Sequence, residues 1–150
     1  MSVVVIGCDH AAFSLKGTLK EHLIERGYKV LDVGVHEEVR CDYPDYAKKV
    51  CTHIQNGDAE WGLLLCGTGI GMSMSANRFP KIRAAVVSDC FCAAATRLHN
   101  NANVLCMGSR VVGVGLAKQI LDSWCQTSFE GGRHQGRIDK MMNIHSGEET

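Results

Sequence analysis

No block of like charge runs anywhere in this sequence: Lys+Arg and Asp+Glu each total 16, for a formal net charge of zero over 150 residues. That leaves no electrostatic footprint for a nucleic acid or an acidic membrane surface, so both are excluded as expected partners. Long apolar runs are also missing. Met1-Ser2-Val3-Val4-Val5-Ile6-Gly7 lacks the basic flank and the length of a signal segment, and reads as a first strand. The eight cysteines form no Cys-x-x-Cys pair, and the one close pair, Cys90 and Cys92, has no second half, which argues against structural zinc. Spread among apolar segments, these thiols suit a reducing, cytoplasmic compartment better than a secreted disulfide framework. No Gly-Lys-Ser or Gly-Lys-Thr follows a glycine turn, which excludes a P-loop, and Gly-x-Ser-x-Gly is missing, which excludes an α/β-hydrolase nucleophile elbow. No linker, composition break or low-complexity tract divides the chain, so a single domain over residues 1–150 is expected.

Regular alternation fills that space. Val3 to Ile6 is a β-branched run, followed by Ala12, Leu15, Leu19 and Leu23 at helical spacing. Tyr28 to Val33 reads as a second strand, and a long loop through Tyr43-Pro44 leads to a helix from about Asp45 with Tyr46, Ala47, Val50 and Ile54 on one face. Gly62 to Leu65, Arg83 to Val87 and Val104 to Met107 complete five apolar runs, each followed by a helical pattern. Short apolar strands alternating with helices predict a Rossmann-like three-layer αβα sandwich on a five-stranded parallel sheet. The polar tail from about 131 carries Arg133, Arg137 and Lys140, and is expected to pack on a partner subunit.

In such sheets ligands bind beyond the carboxyl ends of the strands. Three strand ends place polar groups there: Asp9 and His10, Cys66 and Thr68, and Ser109 and Arg110. Cys66-Gly67-Thr68-Gly69-Ile70-Gly71 joins a buried strand to a helix through a glycine turn whose N–H groups can approach an anion closely. Its glycines do not match the dinucleotide fingerprint, so a small anion is the better ligand. Taken singly, each residue has two readings. Cys66 is either a reactive thiol beside an anion cradle or a small buried hydrophobe, and Asp9, His10 and Arg110 are either site residues or helix caps and solvated side chains. Arg97-Leu98-His99-Asn100-Asn101-Ala102-Asn103 ends the fourth helix with charge and amides instead of a glycine cap, and its imidazole can move protons near neutral pH.

Five segments in order resemble the type B ribose-5-phosphate isomerases, within the wider family of galactose-6-phosphate and allose-6-phosphate isomerases. They are Gly7-Cys8-Asp9-His10-Ala11-Ala12-Phe13, Asp42-Tyr43-Pro44-Asp45, Cys66-Gly67-Thr68-Gly69-Ile70-Gly71-Met72, Arg97 to Leu105, and Gly131-Gly132-Arg133-His134. The resemblance runs almost end to end. It implies an aldose–ketose isomerisation of ribose 5-phosphate and ribulose 5-phosphate in the pentose phosphate pathway, through a cis-enediolate and with neither metal nor cofactor. By that resemblance Cys66 is the base, which asks the adjacent helix N-terminus to favour the thiolate. Gly67, Gly69, Gly71 and Asn100 hold the enediolate oxygen, and Thr68 moves the proton between oxygens. His99, with Asp9, opens the sugar ring; Tyr43 lines the sugar site; His10, Arg110, Arg133 and Arg137 bind the phosphate. The implied assembly is a homodimer or tetramer with a shared active site.

One departure bears on the phosphate ligands: Gly136 stands where relatives commonly carry a second arginine beside the last, while Arg137 is kept. Two other functions stay open. One is isomerisation of allose 6-phosphate or galactose 6-phosphate. The other is a non-catalytic phosphosugar-binding module, which would need the arginines but neither Cys66 nor His99.

Overall fold

The computed structural model describes residues 1–146. Its strands are β1 (Val3–Cys8), β2 (Lys29–Asp32), β3 (Trp61–Cys66), β4 (Ala84–Val86) and β5 (Val104–Gly108). The helices are α1 (Phe13–Glu25), α2 (Tyr43–Gln55), α3 (Ile70–Ala76), α4 (Cys90–Asn100), α5 (Val114–Cys125) and α6 (Arg133–Met142), with a 3-10 turn at His10–Ala12. All strand pairings are parallel, in the order β2-β1-β3-β5-β4.

Side chains alternate across the sheet with the period of two that a pleated strand imposes. Trp61, Leu63 and Leu65 of β3 enter one core with Leu19 and Leu23 of α1 and Ile120 and Leu121 of α5. Leu64 and Cys66 enter the other, against Ala47, Val50 and Met72 of α2 and α3. Both faces of the sheet are covered, so β1, β3 and β5 are apolar throughout. Cys66 is the last residue of β3, on the α2–α3 face.

Two helix ends have local reasons. Helix α2 starts at Tyr43, two residues early, because a proline without an N–H and with φ already helical fits the first turn. Helix α4 ends on Asn101 in the left-handed conformation (φ 45°), so asparagine does the work of the missing glycine cap. The tail is helical from Arg133, and it has a core contact of its own. His134 and Ile138 are buried, and α6 meets α4 of the same chain, while Arg133 and Arg137 remain exposed.

Topology sets where loops can meet. After β1 the chain turns to one side, and after β3 to the other, so the crevice beyond Cys8 and Cys66 is the switch point of the sheet.

Candidate active site

The carboxyl ends of β1, β3 and β5 lie side by side and are stitched together above the sheet. Asp9 N–H donates to Leu65 O (3.2 Å), Ser109 N–H to Cys66 O (2.9 Å), and Arg110 N–H to Gly67 O (3.0 Å). The hydroxyl of Ser109 donates to Ala11 O at 2.8 Å, tying the β5 loop to the β1 loop. Asp9, His10, Cys66, Thr68 and Arg110 are thereby brought to one edge, as their positions after the strands predicted.

At its centre the Cys66 Sγ accepts the N–H of Gly69 at 3.1 Å. The turn can do this because Gly69 has φ 78°, a conformation that side chains avoid. It is also wedged against β5: a Cβ on Gly69 would stand 2.8 Å from the Met107 carbonyl carbon. The hydroxyl of Thr68 accepts Ile70 N–H at 3.2 Å, while Thr68 stays exposed. Tyr43, from the first turn of α2, lies across the turn, and a Cβ on Gly71 would be 2.7 Å from its ring. Arg110 lies along the other side, its guanidinium 3.3 Å from where a Gly67 Cβ would be. The result is a bare backbone cradle with a sulfur at its floor, a phenol on one flank and a guanidinium on the other.

The carboxylate of Asp9 is buried and accepts Ala11 N–H at 3.0 Å, so it caps the 3-10 turn as the plainer sequence reading allowed. His10 Nδ1 accepts Cys41 N–H at 3.3 Å, which fixes the ring's orientation. Burial pushes the Cys8 thiol up to about 11 and the Cys51 thiol up to about 12, and raises that of Cys106 well above its ordinary value.

His99, Asn100, Arg133 and Arg137 are not at this edge. Asn103 O accepts Gly62 N–H at 2.9 Å, which places the end of α4 at the amino end of β3. Cys66, four residue steps further along β3, is about 13 Å away along the strand direction. There the His99 ring stacks on His134, with centroids 4.6 Å apart, beside Glu130. One chain therefore places the Cys66 cradle and the His99 cluster at opposite ends of its strands.

A match to the family model described as Ribose/Galactose Isomerase extends over residues 4–141. The chain belongs to that family. It is 46% identical over 144 residues to ribose-5-phosphate isomerase B of Escherichia coli (strain K12), covering 96% of this chain and 97% of the relative. Among solved structures, ribose-5-phosphate isomerase B of Clostridium thermocellum superposes with a TM-score of 0.94 at 42% identity, covering 96% of this chain and 97% of the other. The Mycoplasma genitalium enzyme with bound ribulose 5-phosphate superposes with a TM-score of 0.91 at 39% identity, covering 97% of each.

Motif reading missed Glu130, which carries no motif of its own. Its spacing of four residues before His134 was the available signal. Lys16 was missed too. It is buried within α1, and its ammonium donates to Asp32 Oδ1 (2.7 Å) and Val35 O (2.6 Å), holding the loop after β2 under the site.

Proposed function

We propose that this chain is a ribose-5-phosphate isomerase, interconverting ribose 5-phosphate and ribulose 5-phosphate through a cis-enediolate. The observation that carries the reading is the Cys66 sulfur held in the glycine cradle by Gly69 N–H, in a chain of this family. The ribulose 5-phosphate bound to the Mycoplasma genitalium neighbour supports the substrate class.

The Cys66 thiolate takes the proton from C2 of the open-chain aldose, and the electron pair moves into the C1–C2 bond while the C1 carbonyl oxygen becomes negative. Of the turn's N–H groups, Gly69 is spent on sulfur and Ile70 on Thr68, so those of Gly67, Thr68 and Gly71 serve that oxygen; one oxyanion donor is worth about 3 kcal/mol of barrier. Thr68 Oγ passes a proton between O1 and O2, and the Cys66 thiol returns its proton to C1. No redox partner is consumed, since C1 is reduced as C2 is oxidised.

The ring must open first. His99 serves as the acid–base for that step together with Asp9, and Asn100 adds a donor to the enediolate. His99 and Asn100 sit at the far edge from Cys66 in their own chain, so they act in the cradle of a second copy. This is the physical case for a homodimer, or a tetramer of such dimers, with Arg133 and Arg137 crossing the same boundary to join His10 and Arg110 on the phosphate. Arginine suits the task because its fork donates two hydrogen bonds to one phosphate. Exposed apolar side chains support the assembly: Ile70, Met74, Phe91, Val111 and Val114 all sit at or near the carboxyl edge of the sheet, where a partner would cover them. Tyr43 closes the sugar site over Gly71. A single domain acting on a soluble metabolite in the cytoplasm, within pentose phosphate metabolism, fits these features.

The test is conversion of ribose 5-phosphate by purified protein, with allose 6-phosphate in parallel and after chelator treatment. Conversion of ribose 5-phosphate in preference to allose 6-phosphate, with and without chelator, is expected. Preference for the six-carbon sugar, or binding of both without turnover, contradicts the reading.

A further inference from the structure

Among the described residues, one group of metal-ligating side chains stands apart from the cradle: His99 on the last turn of α4, Glu130 before α6, and His134 on the first turn of α6. We infer that these three residues form a binding site for a divalent transition-metal cation of the zinc type, whose occupation withdraws His99 from ring opening. The inhibitory half rests on the role of His99 proposed above; the binding half does not.

Four observations carry the site. One nitrogen each of His99 and His134 and one oxygen of Glu130 all lie within 4.8 Å of one another, with Glu130 Oε2 4.0 Å from His99 Nε2 and 3.4 Å from His134 Nε2. His134 is 5% exposed, and its buried Nε2 has no hydrogen-bond partner, since Glu130 lies close but out of line for one. Such a group is costly to leave unsatisfied, and a Lewis acid among these three residues would satisfy it. The two imidazoles are stacked 4.6 Å apart with planes at 23°. That contact holds the two rings beside each other and next to Glu130, so a turn of the exposed His99 ring aims both nitrogens at one ion. Finally, Glu130 N–H donates to Leu98 O at 3.1 Å, which fastens the carboxylate's backbone beside His99 while the His99 and Glu130 side chains remain half-exposed and free to close inward.

Two imidazoles and one carboxylate select zinc, cobalt or nickel over calcium and magnesium, which prefer all-oxygen shells. Three protein ligands leave a position open for water. A metal on Nε2 occupies the lone pair that ring opening requires, so turnover falls as the site fills.

The experiment titrates chelator-stripped full-length protein with Zn2+ by calorimetry and with Co2+ by visible absorption, for wild type, Glu130→Ala and His134→Asn. One ion per chain is expected, with affinity lowered at least about tenfold in both variants and no thiolate charge-transfer band from Co2+. Absence of binding, binding that both variants retain, or a thiolate band overturns the site. Glu130 is exposed, so its variant folds even where the buried His134→Asn does not. Ribose 5-phosphate turnover measured across the same titration should fall in wild type and hold in Glu130→Ala; undiminished turnover at full occupancy overturns the inhibitory half alone. A protein that turns over no sugar phosphate leaves the titration to decide the site by itself.

Discussion

The N–H of Gly69 points at the sulfur of Cys66 across 3.1 Å, and the thiol's neighbours in the turn are glycines pressed onto β5 or Tyr43. That donor fixes where the sulfur sits at the floor of the turn. The same turn that bares its backbone to the crevice thus also fixes the sulfur.

Gly71→Ala tests the fit of that turn. The new Cβ would meet the Tyr43 ring at 2.7 Å and must displace it. On the proposed mechanism Tyr43 lines the sugar site and takes no part in proton transfer, so KM should rise about tenfold, a loss of about 1.4 kcal/mol, with kcat changed less. Steady-state kinetics on ribose 5-phosphate check this, and an unchanged KM removes Tyr43 from the sugar site.

His99→Asn should slow the cyclic sugar much more than an open-chain aldose phosphate, because only the first needs ring opening. A gap of at least about tenfold between the two substrates is expected for a lost general acid–base. Equal losses on both would show that His99 acts elsewhere.

Shared sites predict complementation. Homodimers of Cys66→Ala and of His99→Asn are expected to be inactive and slowed, respectively, on ribose 5-phosphate, and subunit exchange between them should raise activity above either. A mixed dimer has one cradle with both Cys66 and a partner's His99, so mixed dimers should carry about half the activity of wild type. Recovery is read after brief denaturation and refolding of the mixture; no recovery, with hybrids demonstrated by mass, contradicts a composite site.

Asp32 governs acid stability. Desolvation alone would raise its pKa, but hydrogen bonds from Lys16, Gly34 N–H and Lys20 outweigh it and leave the carboxyl below the usual range. With the folded value depressed, its stabilisation is present above the unfolded pKa of about 3.9 and is lost as pH falls through the folded value. Asp32→Asn strands the buried Lys16 ammonium and should cost about 3 kcal/mol at neutral pH. Urea unfolding at neutral and acid pH checks both points: the variant's deficit should shrink in acid, and a deficit independent of pH would contradict the ion-pair account.

Much of this was legible in the residues. Apolar runs alternating with helical periods give the five strands and the parallel layering, since a strand buried on both faces must be apolar throughout. Strand order was not legible, because periodicity says which face is buried but not which strand lies beside which. The consequence falls on His99: its motif names it, yet only the order and register reveal that it stands at the opposite edge from Cys66 in its own chain. The polar composition of α6 concealed its anchors, His134 and Ile138, because two buried side chains in ten make little apolar signal. Lys16 was hidden for the converse reason: its partners Asp32 and Val35 lie 16 and 19 residues away.

The proposed role of Cys66 as the base is decided by ribose 5-phosphate turnover of Cys66→Ala, measured alongside its affinity for ribose 5-phosphate by calorimetry. The account predicts turnover lowered by at least about a thousandfold, about 4 kcal/mol of barrier, with affinity within a few fold because the arginines and the cradle remain. Turnover near wild type would contradict it and move the base elsewhere in the cradle.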